Sequence, residues 1–191
     1  LGWHARQNAR TYRATILACA FLGVAVLDFS HTLSFQGMPG LLGPGTPEKS
    51  INFWLMARLF AAVGLLIAAF LPSRKIPRSA RWQVLAGTLI GLIFLHWLLL
   101  FHAELLPATF NDDTGLTSFK IASEYFLILL YGAAACKFWL TARHAQSLGM
   151  LTLAVAAAIM ALSELYFTFY SAVTDVYNLL GHVYKLIAYG F

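Results

Sequence analysis

The chain has 191 residues, of which 60% are apolar and 11% charged, with a net charge of +5. A soluble domain carries about 25% charged residues, so the composition excludes an ordinary soluble fold. The basic surplus sits in short stretches between long apolar runs, which argues against a nucleic-acid surface and for loops flanking a bilayer. Cys19 and Cys136 fall inside apolar runs and read as small buried or lipid-facing residues, with no disulfide framework.

The chain starts at Leu1, not Met, and ends at Phe191 within an apolar run, so a piece of a longer protein is expected. Arg6, Arg10 and Arg13 precede an apolar run too long for a signal-peptide core. A helix needs about 20 apolar residues to cross the hydrocarbon layer. Segments of this kind cover 12–35, 51–71, 82–101, 119–140, 148–170 and 173–191. The expected fold is all-α: a polytopic transmembrane bundle of six helices, forming one membrane-integral domain over 1–191. A short turn around Ser171 and Thr174 makes the last two helices antiparallel neighbours.

Orientation follows from the basic residues. Arg6, Arg10 and Arg13 precede the first helix; Arg74, Lys75, Arg78 and Arg81 lie between the second and third; Lys137 and Arg143 flank the loop after the fourth. Six crossings put these places on one side, expected to be the cytoplasm together with both ends of the chain. The opposite loops hold Glu48 and Lys49, then Glu104, Asp112 and Asp113. Trp54, Trp82 and Trp139 are expected in the aromatic belts.

Charge inside a bilayer costs at least a few kcal/mol per group, so its placement is informative. In the first helix Asp28 and His31 share a face at i,i+3. Arg58 lies about two turns into the second, and His96 in the outer part of the third, with His102 at its rim. Lys120 and Glu124 open the fourth at i,i+4, and Tyr131 continues that face. Glu164 lies in the outer half of the fifth. In the sixth, Asp175, Asn178, His182 and Lys185 fall within an arc of about 80° at 100° per residue. Asp28, His31, Arg58, His96, Lys120, Glu124, Glu164, Asp175 and His182 are expected at one depth, which points to a polar pocket open to the outside. Its expected ligand-binding residues are Asp28, His31, Arg58, Glu124, Glu164, Asp175, Asn178, His182 and Lys185. Ion pairs that merely fix helix register are the competing explanation. Beside His182, Gly181 permits close helix approach.

Three stretches carry a resemblance. They are Leu27-Asp28-Phe29-Ser30-His31-Thr32-Leu33, Asn52-Phe53-Trp54-Leu55-Met56-Ala57-Arg58, and Ser163-Glu164-Leu165-Tyr166 continuing to Asn178-Leu179-Leu180-Gly181-His182. Together they resemble the third type of bacterial membrane-associated sensor domain. The resemblance implies an N-terminal sensory module ahead of a diguanylate cyclase, phosphodiesterase or histidine kinase domain. It thereby implies cyclic di-GMP or two-component signalling, homodimerisation through the output domain, and a multi-pass place in the bacterial inner membrane. It also implies one further helix before the first, seven in all, with Leu1 to Arg6 as its inner end. No catalytic activity is expected of the chain itself.

The expected function is detection of a small ligand, ion or redox signal in the outer pocket, passed along the last helix to a cytoplasmic output domain. The alternative is a haem- or metal-binding membrane protein, since His31, His96 and His182 come from three helices. A transporter is less favoured: no helix interior holds a Pro and no inverted repeat is apparent.

Overall fold

The computed structural model describes residues 11–72, 74–111, 115–169 and 175–191. Outside them lie Arg6 and Arg10, Asp112 and Asp113, the turn at Ser171 and Thr174, and the opening Leu1 to Arg6 assigned to a further helix. Among the described residues the α-helices are α1 (Tyr12–Leu33), α2 (Pro47–Phe70), α3 (Arg78–Phe101), α4 (Ser118–Ala145), α5 (Leu148–Phe167) and α6 (Val176–Tyr189). A 3₁₀ turn over Ala103–Leu105 and a small antiparallel pair, β1 (Phe110–Asn111) with β2 (Gly115–Leu116), lie between α3 and α4. The fold is an all-α membrane bundle. Helices α1 to α5 are long and apolar enough to span a bilayer.

Two helix starts, those of α2 and α3, lie earlier than hydropathy places them, and at α2 capping explains why. Thr46 accepts a hydrogen bond from the Lys49 amide, and Pro47 occupies the first turn, so α2 begins four residues before the apolar run. Glu48 and Lys49, expected in a loop, form that first turn. Lys49 Nζ then reaches back to donate to the carbonyls of Leu42 and Pro44. Arg78 and Arg81, also expected in a loop, open α3. At its far end α4 runs on through Arg143 and His144, the charge of Arg143 suiting a helix C-terminus, and stops at Gln146 in the left-handed region (φ 47°). Helix α6 has 14 residues, about 21 Å of rise.

The chain forms two compact units, 1–107 and 108–191. In the first, α1 and α2 form the main pair. Their shared face is built from small residues: Ala20, Gly23, Ala57, Ala61, Gly64 and Ala68. In lipid, where apolar surface gains nothing by leaving the solvent, close backbone approach supplies the packing. A Cβ at Gly64 would overlap the Ala20 Cβ, which cannot swing aside. Gly64→Ala should cost about 1–3 kcal/mol by overpacking, and Ala20→Gly on top of it should recover most of the loss; thermal unfolding in nanodiscs measures both.

The basic end of this unit is tied down. The Arg13 guanidinium donates from Nε to the Ala68 carbonyl (3.0 Å) and from Nη2 to the Leu71 carbonyl (2.7 Å). It thereby satisfies carbonyls left open at the end of α2. Arg74 lies over the Tyr12 ring, and its carbonyl accepts from the Tyr12 amide.

In the second unit the buried positions of α4 are Lys120, Glu124, Leu127, Tyr131, Ala134, Phe138 and Ala142, a continuous stripe at three- and four-residue steps. It packs on α5, which in turn packs on α6. Helix α6 is amphipathic in the reverse of the soluble sense. Val176, Tyr177, Leu179, Val183, Leu186 and Ile187 are exposed, while Gly181 and Ala188 are buried and Asn178, His182 and Lys185 half-buried. Apolar residues outward and polar residues inward is the arrangement a lipid surround selects.

Candidate functional site

Within each unit, polar residues singled out from sequence meet across helices. In the first, Arg58 on α2 is wholly buried and faces Asp28 on α1. One guanidinium nitrogen, Nη2, lies 2.7 Å from both carboxylate oxygens. One turn along α1, His31 Nδ1 lies 2.8 Å from the Ser50 carbonyl oxygen and 3.0 Å from Ser50 Oγ. A carbonyl can only accept, so Nδ1 carries the proton. The shared face read from the i,i+3 spacing is therefore real: both residues grip α2.

His96 on α3 joins the same unit from the third side. Its Nε2 lies 2.8 Å from Ser30 Oγ on α1, its Nδ1 2.8 Å from the Leu92 carbonyl oxygen, and its ring 5.2 Å from that of Phe53 on α2. His102 instead lies against Trp97 and 3.4 Å from Glu104 at the rim. Trp54, expected in an aromatic belt, is buried; Trp82 and Trp139 are exposed.

In the second unit Lys120 and Glu124 form the expected i,i+4 ion pair, and both are fully buried. Lys120 Nζ also donates to the Phe167 carbonyl at the end of α5 (3.1 Å). Glu164 on α5 and Tyr131 on α4 have no exposed surface. Next to Glu164, Ser163 Oγ donates to the Gly181 carbonyl of α6 (2.7 Å). Phe167 lies edge-on to His182, and a Cβ at Gly181 would come within 2.6–2.8 Å of the Phe167 ring. Close packing therefore accounts for Gly181. Tyr166 stacks on Tyr184 beside it. His182 Nδ1 donates to the Asn178 carbonyl one turn back (2.9 Å).

Asp175 serves as the N-cap of α6, accepting from the Tyr177 amide (3.0 Å). Asn178, His182 and Lys185 continue inward along α6, half-buried. The structure thus brings Asp28, His31 and Arg58 together with His96 in the first unit. In the second it places Glu124, Glu164 and the stripe of α6 on helices that pack in series.

Ser30, Ser50 and Ser163 are cluster members that sequence reasoning passed over. Ser123 shows why: its hydroxyl bonds only back to the Phe119 carbonyl of its own helix (2.9 Å). What separates the cross-linking serines is their place on the buried face of their helices, alongside Leu27, Phe53 and Met160.

Among the described residues, no group of three or more His, Cys, Asp or Glu comes together in a way that could hold a metal ion. His31 and His96, both metal candidates, are instead hydrogen-bonded to serines on neighbouring helices.

The sequence matches the family of membrane-associated sensor domains designated MASE3 over residues 1–191. No curated protein and no solved structure matches the chain.

Proposed function

Since the chain belongs to the MASE3 family of membrane-associated sensor domains, we propose that its buried polar clusters are the sensing elements and that α6 carries the signal onward. The carrying observation is the inverted face of α6. Its polar stripe is turned into the unit, against the segment of α5 that holds Ser163, Glu164 and Phe167. A helix whose polar face meets buried charge can shift by an ångström or two when a neighbouring charge changes partner, the scale on which interface helices switch.

In this reading a small ligand, an ion or a redox-active lipid alters the charge balance at Asp28–Arg58 or at Lys120–Glu124 with Glu164. His31, Asp175, Asn178, His182 and Lys185 line the path or set its polarity. The output is a cytoplasmic diguanylate cyclase, phosphodiesterase or histidine kinase domain, dimeric and entered from α6. The surroundings are the bacterial inner membrane, with the Arg13 and Arg74 end of the first unit on the cytoplasmic side. The chain contributes binding and movement, and no chemical step.

Substitutions that preserve packing test this. Arg58→Lys, Glu164→Gln and His182→Gln are introduced singly into the intact signalling protein, and output is measured at matched membrane abundance. At least two are expected to fix output high or low. Normal regulated output in all three would sink the reading.

A further inference from the structure

Beside the apolar packing of Leu27 with Leu92 and Leu99, α3 meets α1 through a polar link whose proton count has two solutions. His96 Nδ1 faces the Leu92 carbonyl at 2.8 Å and therefore carries a hydrogen. Ser30 Oγ, buried, lies 2.8 Å from His96 Nε2 and 3.1 Å from the Val26 carbonyl oxygen of its own helix. Ser30 has a single hydrogen to give. With a neutral imidazole, Nε2 is bare and must receive the serine proton, which leaves the Val26 carbonyl without it. With an imidazolium, Nε2–H donates to Oγ, and the serine turns its hydrogen to Val26. Both states are satisfied without moving a heavy atom. The charged state has one more hydrogen bond across the same atoms, and its interhelical bond is charge-assisted, roughly twice as strong as a neutral one.

We propose that His96 and Ser30 form a protonation-sensitive latch, and that uptake of a proton at His96 Nε2 tightens α3 onto α1. This rests on the sensory reading above and names the proton as one stimulus of the first unit.

The surroundings suit a switch at this position. The ionisable groups of the outer half of α1 are Asp28 and His31, one held by Arg58 and the other by Ser50. Helix α2 contributes Arg58, matched to Asp28, and Glu48 and Lys49 in its first turn. The 3₁₀ turn contributes Glu104, which lies beside His102. The Phe53 ring covers the imidazole from α2. Helix α3 has only Leu92 and Leu99 as buried residues. The polar link therefore has leverage over its position that it would lack in a more deeply buried helix.

The test uses the full chain in lipid nanodiscs with nitrogen-15-labelled histidine. Spin labels are placed at the exposed positions Phe29 on α1 and Ile93 on α3, after Cys19 and Cys136 are changed to Ala. As the pH is lowered from 8, His96 Nε2 should pass from bare to protonated. The distribution of label distances should narrow with it. In Ser30→Ala the nitrogen should still titrate and the narrowing should be lost; in His96→Gln both should be lost. A bare Nδ1 at pH 8, or narrowing that persists in either variant, overturns the latch.

Failure of the sensory reading looks different. There the latch titrates as described, but output in the intact protein ignores Arg58→Lys, Glu164→Gln and His182→Gln. A latch that fails while output responds to those variants overturns the latch alone.

Discussion

Arg58→Met should destabilise the chain by about 3–5 kcal/mol, the usual cost of removing one partner from a buried ion pair. The cause is the group left behind. Asp28 accepts from Arg58 Nη2 through both carboxylate oxygens, and its side chain is only 22% exposed. Without the guanidinium the carboxylate must either stay charged among apolar helices or take up a proton, and both cost free energy. The second change, Asp28→Leu, removes the stranded charge. The double variant Arg58→Met/Asp28→Leu should therefore recover most of the loss, since a buried pair replaced by apolar residues is often near neutral. Unfolding in nanodiscs followed by tryptophan fluorescence measures all three. If the double variant is as unstable as the single one, Arg58 holds the unit together through contacts other than Asp28.

Arg58→Lys separates stability from signalling. Lysine keeps the charge but offers a compact ammonium in place of the planar guanidinium. It should keep most of the stability while altering the geometry with which α1 and α2 meet, which is why it serves the functional test better than a deletion of charge.

The bundle was legible in the sequence because bilayer thickness sets helix length, and composition alone separates apolar runs from loops. Its edges were less legible. Hydropathy starts the second helix at 51, but Thr46 and Pro47 start α2 earlier by satisfying the first-turn amides, a local effect that no apolar count registers. The polar groups were legible as a set because each is expensive in a bilayer. That Arg58 meets Asp28 was not, because spacing along one helix does not say which neighbour a side chain meets; the crossing of α1 and α2 brings the two together. Lys120 and Glu124 were the easier case, since an i,i+4 pair lies within one helix. The serines were missed for a further reason: a hydroxyl is cheap enough in a helix to be placed anywhere, so its presence in the sequence carries little information about its partner.

Lys120→Met should have an effect as large as Arg58→Met, again about 3–5 kcal/mol, and a more local consequence. Lys120 is fully buried, forms an ion pair with Glu124, and donates to the Phe167 carbonyl. Removing it leaves the Glu124 carboxylate without this counter-charge and releases the last turn of α5. That turn carries the Phe167 ring, which packs on Gly181 and lies edge-on to His182. The chain of contacts from the buried ammonium to α6 is thus Lys120, the Phe167 backbone, the Phe167 ring and the first half of α6. Lys120→Met should accordingly speed hydrogen exchange at the amides of α6 together with the end of α5. Adding Glu124→Gln should restore stability, because the stranded charge is gone. It should not restore slow exchange in α6, because the Phe167 carbonyl still lacks its donor. Recovery of both by the double variant would mean that charge balance alone holds this end of the unit, and that Lys120 has no part in positioning α6.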